Sequence, residues 1–198
     1  MVLGQSYRRT TMAMTFHPNG LIEGFSGTSM PSGSVIQVKY AKDTSYQNVT
    51  NAGLPNVDSN WFDLPNLSLT ITPTSNSNKI LVLAHACGSE QTHAYGLWFR
   101  VMRGTVSLGG DTSASGYTSR ASVGFGMGCD NTYMDDQMGS ASFSYMDEPA
   151  TTSTLTYKVQ GISRYSPHQW SYNKSHDTGN SGGNGQGVST LTLLEIKG

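Results

Sequence analysis

The residues with the richest recognition chemistry lie in one segment, 163–187, which is dense in glycine, serine and asparagine. Exposed aromatic side chains with adaptable polar neighbours form recognition surfaces, and aromatic faces also stack on sugar rings. Three destinations are open for these side chains: contact with a sister subunit, packing under the loop within the same chain, or an external ligand. The candidate interface or recognition residues are Arg164, Tyr165, His168, Trp170, Tyr172 and His176.

One catalytic pattern is present formally, because residues 179–183 read GNSGG and fit G-x-S-x-G. A nucleophile elbow requires a strand before its serine and a helix after it. Ser181 instead stands in a glycine-rich run, and the sequence contains no P-loop, dinucleotide fingerprint or zinc-protease pattern. We therefore expect a protein that is not an enzyme and has no catalytic residues.

Two groups of side chains have metal-ligand chemistry. Glu90 and His93 would approach His85 only if the chain after Cys87 folded back. The aspartates of the segment 130–136 offer oxygen atoms of the kind that calcium prefers, but their spacing does not match a helix-loop-helix calcium loop. Ordinary loop hydrogen bonding and a solvated acidic loop are the favoured interpretations. We expect no bound metal and no cofactor.

The sequence also contains possible modification sites. Cys87 and Cys129 are the only cysteines, and two cysteines do not make a disulfide framework. We expect two reduced buried thiols, with a single bridge left open. Asn48, Asn66 and Asn173 match the glycosylation pattern. In a chain this rich in serine and threonine, such matches are expected by chance.

Composition indicates the fold class. Only 13% of the 198 residues are charged, whereas about 25% is usual, and glycine, serine and threonine make up 70 residues. Helix surfaces need Glu, Lys, Arg and Gln, so a helical bundle is excluded. Disorder combines low hydrophobicity with high net charge, but here the net charge is −1. We predict an all-β protein with a polar, weakly charged surface.

Charge and hydropathy also restrict the partners. Phosphate binding needs clustered lysine and arginine, and the 12 basic residues are scattered, so we expect no nucleic acid partner. No apolar run reaches the roughly 20 residues of a membrane helix, so we expect no membrane partner. Arg8-Arg9 is not followed by the apolar stretch of an export signal, and we interpret the N-terminus as unprocessed.

Periodicity predicts about eight strands in one antiparallel β-sandwich of the jelly-roll type, over residues 34–198. Alternation is clearest in Leu67–Thr72, and Pro73 ends that strand. The segment Ile80–Cys87 is apolar on both faces, which predicts a central strand. The remaining strand segments are predicted at 34–40, 97–102, 121–127, 141–146, 154–159 and 188–196.

Residues 1–33 show no clean periodicity and are rich in glycine and proline, so we predict an extended N-terminal arm. An arm that cannot fold alone packs on its own body or on a neighbour. Its candidate capsid-contact residues, under the interpretation given next, are Phe16, Leu21, Ile22 and Phe25.

Short motifs follow one another in a fixed order along residues 31–198. They are PSGSVIQV (31–38), LSLTITP (67–73) with SNKILV (77–82), RVMRGT (100–105), DEPAT (147–151), YKVQ (157–160) and STLTLLEI (189–196). The ordered set resembles the β-sandwich domain of virion structural proteins of tailed phages, especially marine and cyanobacterial ones. The resemblance implies a trimeric jelly-roll knob on the particle surface, with no catalytic residues.

Within that family the role depends on what precedes the sandwich. Fibre-borne versions have a long adaptor and a repetitive shaft, whereas here about 33 residues precede it. We therefore expect a homotrimeric capsid decoration or cement protein that binds the major capsid protein or other virion proteins. The alternative is a short tail-fibre or head-fibre knob that binds a host surface glycan. A secreted lectin-like or accessory carbohydrate-binding domain is a further alternative.

Overall fold

The chain is all-β throughout the part that the structure, a computed structural model, describes. Those residues contain no α-helix, and therefore no helix of the length and apolarity that a membrane crossing requires. The described residues are 30–50, 60–90, 97–109, 138–163, 169–175 and 185–198, with three short strands at 15–16, 22–23 and 125–127.

The strands are numbered in chain order. They are β1 (Thr15–Phe16), β2 (Ile22–Glu23), β3 (Val35–Asp43), β4 (Gln47–Val49), β5 (Phe62–Ile71), β6 (Lys79–Glu90), β7 (Leu97–Arg103), β8 (Val106–Ser107), β9 (Phe125–Met127), β10 (Gly139–Asp147), β11 (Leu155–Ser163), β12 (Trp170–Tyr172) and β13 (Ser189–Ile196).

The sandwich has two antiparallel sheets. In sheet I, β6 is flanked on one side by β10 and on the other by β13 and β12, which lie end to end and pair with β3 and β4 respectively. In sheet II, β11 lies between β5 and β7, and β7 pairs on its other side with β8 and β9. Each sheet is therefore about four strands wide.

The strand pairs are nested in the order of a jelly roll. The first long strand, β3, pairs with the last, β13; β5 pairs with β11, β6 with β10, and β7 with β9. The short pair of β4 and β12 fits inside the outermost pair. The predicted all-β sandwich of the jelly-roll type is confirmed, and each of the eight predicted strand segments contains a strand.

Alternating side chains fill the space between the sheets. On β13, Leu191 and Leu193 are fully buried, whereas Thr192 and Leu194 on the opposite face are partly exposed. On β11, Tyr157 and Val159 are buried, as their alternation predicts. Among the described residues the largest fully buried side chain is Trp170, so the short strand β12 also contributes to the core.

The predicted N-terminal arm is described only in part. β1 and β2 pair as a short antiparallel ladder in which Phe16 is opposite Ile22. The predicted contact residues Leu21 and Phe25 lie outside the described residues. Residues 30–34 are attached to the chain end, because the amide of Gly33 donates to the carbonyl of Lys197 at 2.8 Å.

Gly88 is required where β12 meets β6. A Cβ atom there would overlap the carbonyl oxygen of Ser171 and lie 3.0 Å from the side chain of Leu97. Because backbone cannot move aside without breaking the ladder, we expect Gly88→Ala to reduce the free energy of unfolding by about 1–3 kcal/mol. Chemical denaturation measures this. Gly185→Ala is the control, since its Cβ would find only ordinary contacts; equal losses in both variants would contradict the prediction.

Candidate interaction surface

Two of the six candidate recognition residues lie inside the protein. Trp170 and Tyr172 are 0% and 1% exposed. The Trp170 ring lies edge-on to Phe62, with ring centroids 6.1 Å apart, and to Phe99, at 6.3 Å. These two side chains pack within their own chain, so they offer no exposed surface for a ligand or a sister subunit. Arg164, Tyr165, His168 and His176 lie outside the described residues.

The local sequence explains this burial. Trp170 and Tyr172 are two positions apart, so on a strand both point to one face, toward the core. Ser171 points the other way and donates a hydrogen bond to Oδ1 of Asn48 at 2.7 Å. The Tyr172 hydroxyl is 3.5 Å from Oγ of Ser45, and burial raises the pKa of Tyr172.

Asn173 is the centre of a buried polar cluster just after β12. Its amide nitrogen donates to the carbonyls of Asp43 at 2.9 Å and Ser45 at 2.8 Å. Its Oδ1 atom accepts from Oγ of Ser189 at 2.6 Å and from Sγ of Cys87 at 3.3 Å. Asn173 has a φ of 58°, which asparagine tolerates better than most residues. The cluster therefore joins β3, β6 and β13 to the end of β12.

The same cluster contains two of the possible modification sites, and both are buried. Asn173 is 1% exposed, so its glycosylation pattern is not accessible in the folded chain. Cys87 is a free, buried thiol, as predicted, and burial raises its pKa and so lowers its reactivity. Cys129 lies outside the described residues.

At the other end of the sandwich, Glu195 is fully buried and accepts four hydrogen bonds. The donors are Nδ2 of Asn78 at 2.5 Å, Nε2 of Gln37 at 2.6 Å, and the amide and hydroxyl of Thr74 at 2.7 and 2.9 Å. Burial alone raises the pKa of this carboxyl, but the hydrogen bonds together outweigh it, so the pKa is lowered. The carboxylate joins β13, β3 and the turn before β6.

A second buried carboxylate lies at the same end. Asp147 accepts from Nη1 of Arg103 at 2.8 and 2.9 Å and from the hydroxyl of Tyr157 at 2.6 Å. The pKa of Tyr157 is raised, first by burial and then by the hydrogen bond to Asp147. Because Asp147 is on sheet I and its two partners are on sheet II, this cluster links the two layers.

The two carboxylate clusters use residues from the ordered sequence motifs of residues 31–198. Gln37, Glu195 and Arg103 each belong to one of those motifs, and Asn78, Asp147 and Tyr157 do as well. In this chain the motif residues therefore stabilise one end of the sandwich. Such residues specify a fold, whereas function depends on the surface that the fold presents.

The predicted metal-ligand groups do not form a site within the described part of the chain. No group of three or more His, Cys, Asp and Glu side chains comes together there. His85 pairs with Oγ of Ser142 at 3.2 Å, and Glu90 accepts a short hydrogen bond from Ser163. His93 and the aspartates of segment 130–136 lie outside the described residues.

The outer side of sheet I is an exposed surface that we call the apolar face. Two rows of side chains cross its four strands in register. The first row is Val38, Leu194, Leu81 and Met146, and the second row is Tyr40, Thr192, Leu83 and Ser144.

The apolar face concentrates the exposed apolar side chains of the protein. Val38 and Tyr40 are 56% and 58% exposed, and Leu83 is 38% exposed. Four of the nine exposed large hydrophobic residues among those described belong to this face, and Met146 is the fourth. Exposed apolar patches mark interaction sites in proteins, so we treat this face as the candidate interaction surface.

Charged residues lie only at the ends of the apolar face. Lys42 is beside the end that also carries His85. Lys79 is at the other end, where its Nζ atom is 2.6 Å from the carboxylate of Glu148. The two central rows contain no charge, so a partner can cover them without desolvating an ion.

The outer side of sheet II has a different character. The guanidinium of Arg100 lies 4.3 Å from the ring centre of Trp61 and donates to Gln160 at 2.7 Å. Gln160 and Lys158 in turn donate to Asp63, at 2.5 and 2.9 Å. These polar groups on the outer side of sheet II thus interact with one another. The apolar face of sheet I is the better candidate for binding a partner.

No protein-family model matches this chain, and no curated protein matches it in sequence.

Proposed function

We propose that this chain is a non-enzymatic structural protein of a phage particle, a homotrimer that decorates or cements the capsid. The observation that carries the proposal is the apolar face, an uncharged sheet surface on a jelly-roll sandwich. Exposed apolar surface of this kind is typical of contacts with another protein. We infer the phage particle and the trimeric state from the resemblance of the sequence motifs to phage virion proteins.

Weak charge is compatible with a dense surface layer. The net charge is −1, so copies a few nanometres apart repel one another little. Each contact between a decorating protein and a capsid is modest, but three linked subunits multiply the effective affinity. In this proposal the N-terminal arm, through Phe16, Leu21, Ile22 and Phe25, makes the contacts to the capsid.

The alternative, a knob that binds a host glycan, depended on exposed aromatics between residues 163 and 187. Trp170 and Tyr172 are buried, so they do not form a platform for sugar stacking. The buried aromatics therefore favour the decoration role over the glycan-binding role.

Particle binding tests the proposal. The full-length chain is mixed with undecorated heads assembled from the capsid protein of the same genome, and co-sedimentation is measured. We expect stoichiometric binding by a species three times 21.3 kDa in light scattering. Serine at Phe16, Leu21, Ile22 and Phe25 together is expected to abolish co-sedimentation.

The control replaces Val106, an exposed apolar residue of the sandwich, with serine, which should leave binding unchanged. Wild-type protein that stays in the supernatant at micromolar concentration would contradict the decoration role. Binding that survives the four serine substitutions would contradict the role of the arm only.

A further inference from the structure

We propose that the apolar face is the contact between copies of this chain, and that Tyr40 of one copy enters a groove beside Leu83 of the next. The inference rests on the proposed function in assuming an oligomer, and it assigns the surface that makes it. The contact with the particle is then made elsewhere.

The groove has the chemistry to receive a tyrosine. It is a shallow depression of about 440 Å³ on the outer side of sheet I, and its apolar lining residues are Leu83, Ala84 and Phe143. Its polar rim consists of His85, Ser142, Ser144, Thr190 and Thr192. A tyrosine combines an apolar ring with a hydroxyl that needs a hydrogen-bond partner when buried. The groove provides both kinds of contact.

Tyr40 is suited to be the inserted residue. It is 58% exposed and lies in the same cross-strand row as Leu83, separated from it by Thr192. The same surface therefore carries a protruding aromatic and a receptive groove. Tyr40 lies on the edge strand β3, whereas the groove lies over β6, β10 and β13, so the two are different patches. A contact between different patches on neighbouring copies is the kind that closes a ring such as a trimer.

The sequence of β6 also indicates that the outer side of sheet I is covered by a partner. The strand is apolar on both faces, a pattern typical of strands that are buried on both sides. Ile80 and Val82 face the core and are fully buried. Leu81 and Leu83 face outward, and Leu83 is exposed in the single chain. A second copy on the apolar face buries this other side.

Size and charge also favour a copy of the chain. The four strands of the face lie about 4.8 Å apart, and eight residues along each strand rise about 3.4 Å per residue. The projected area of the face is therefore on the order of 500 Å². Because protruding side chains make the accessible surface of the face larger than its projected area, the accessible surface approaches the roughly 800 Å² that each partner buries in a stable complex. Because the central rows are uncharged, neighbouring copies make this contact without like-charge repulsion. An anionic lipid or nucleic acid surface would find no clustered cations there.

Self-association of two face variants tests the inference. Tyr40→Ser removes the inserted ring, and Leu83→Glu places a charge in the groove. We expect each to weaken self-association about 30-fold or more, the effect of losing a central anchor of an interface. Light scattering during size exclusion, over a dilution series of the full chain, measures the change.

Matched controls come from equally exposed residues off the face. Tyr46 is 57% exposed, so Tyr46→Ser matches Tyr40→Ser, and Val106→Glu matches Leu83→Glu. Both controls should assemble like the wild type. Thermal unfolding of all four variants identifies any that fail to fold. If Leu83→Glu fails to fold, the result for Tyr40→Ser decides, because more than half of the Tyr40 side chain is exposed.

The outcomes separate the inference from the proposed function. If the wild type is oligomeric and folded Tyr40→Ser keeps its mass, the assigned interface is wrong and the decoration role stands. If the variants dissociate but the wild type does not bind heads, the interface stands and the decoration role is wrong. A monomeric wild type at micromolar concentration overturns both.

Discussion

Replacing Trp170 with alanine is expected to lower the free energy of unfolding by about 3–5 kcal/mol, the usual effect of truncating a fully buried large aromatic. The ring is 0% exposed and contacts Phe62, Phe99 and Tyr172 between the sheets. Gly161 leaves room for it, since a Cβ atom there would lie 2.7 Å from Cη2 of the tryptophan. Such a loss is a large part of the 5–15 kcal/mol that holds a typical domain together.

Chemical denaturation followed by circular dichroism measures the effect. Trp170→Phe, which keeps an aromatic ring in the site, should lose clearly less stability than Trp170→Ala. A Trp170→Ala protein as stable as the wild type would contradict the burial. A loss of particle or host binding in this variant would report unfolding, because the side chain has no exposed surface.

Replacing Glu195 with alanine is expected to destabilise the protein by about 2–3 kcal/mol, because it removes an acceptor that several polar groups share. Asn78, Gln37 and the amide of Thr74 would each lose this acceptor. Asn78 would keep its hydrogen bond to Oγ1 of Thr74, and Gln37 would keep its hydrogen bond to the carbonyl of Thr72. The control is Glu148→Ala, since the pair of Glu148 with Lys79 is exposed and should contribute less than about 1 kcal/mol. Similar losses in both variants would contradict the role of the cluster.

The stability of the protein should also depend on the charge of Glu195. The pKa of this carboxyl is lower in the folded chain than its ordinary value of 4.5. Its stabilising effect is therefore complete above about pH 4.5 and is lost as the pH falls through the folded pKa. Denaturation between pH 7 and pH 3 should show a steeper loss for the wild type than for Glu195→Gln. Parallel curves would contradict this.

Much of the strand pattern was predictable from local sequence. Strict alternation in Leu67–Thr72 and the apolar run Ile80–Cys87 each marked a strand that is present, and the second is central, as predicted. These signals are reliable because side chains alternate across a strand regardless of its partner. The sequence therefore determined that the chain is an all-β sandwich.

The strand β12 was missed. It has only three residues and lies in a segment dense in glycine and serine, which indicates a loop. The spacing of Trp170 and Tyr172 was a signal that they share a face, but nothing local told whether that face was covered. Only the pairing of β12 with β6 and β4 decided that this face is turned toward the core.

The two buried carboxylates also depend on distant partners. Asn78 and Glu195 are 117 positions apart, and Arg103 and Asp147 are 44 apart, so no local pattern reveals either contact. A charged residue in an alternating strand is ordinarily expected at the surface. The nested pairing of the jelly roll brings these ends together, and the available donors make burial of the charge tolerable.

Which face of sheet I is exposed also depended on the tertiary structure. Alternation places Val38 and Tyr40 on one face, and Leu194 breaks the alternation of β13, but neither pattern shows which side of sheet I faces the core. Sequence periodicity determined the strands and their two faces. Packing of sheet II against one face decided which face is buried, and it left the other, with Val38, Tyr40 and Leu83, available for a partner.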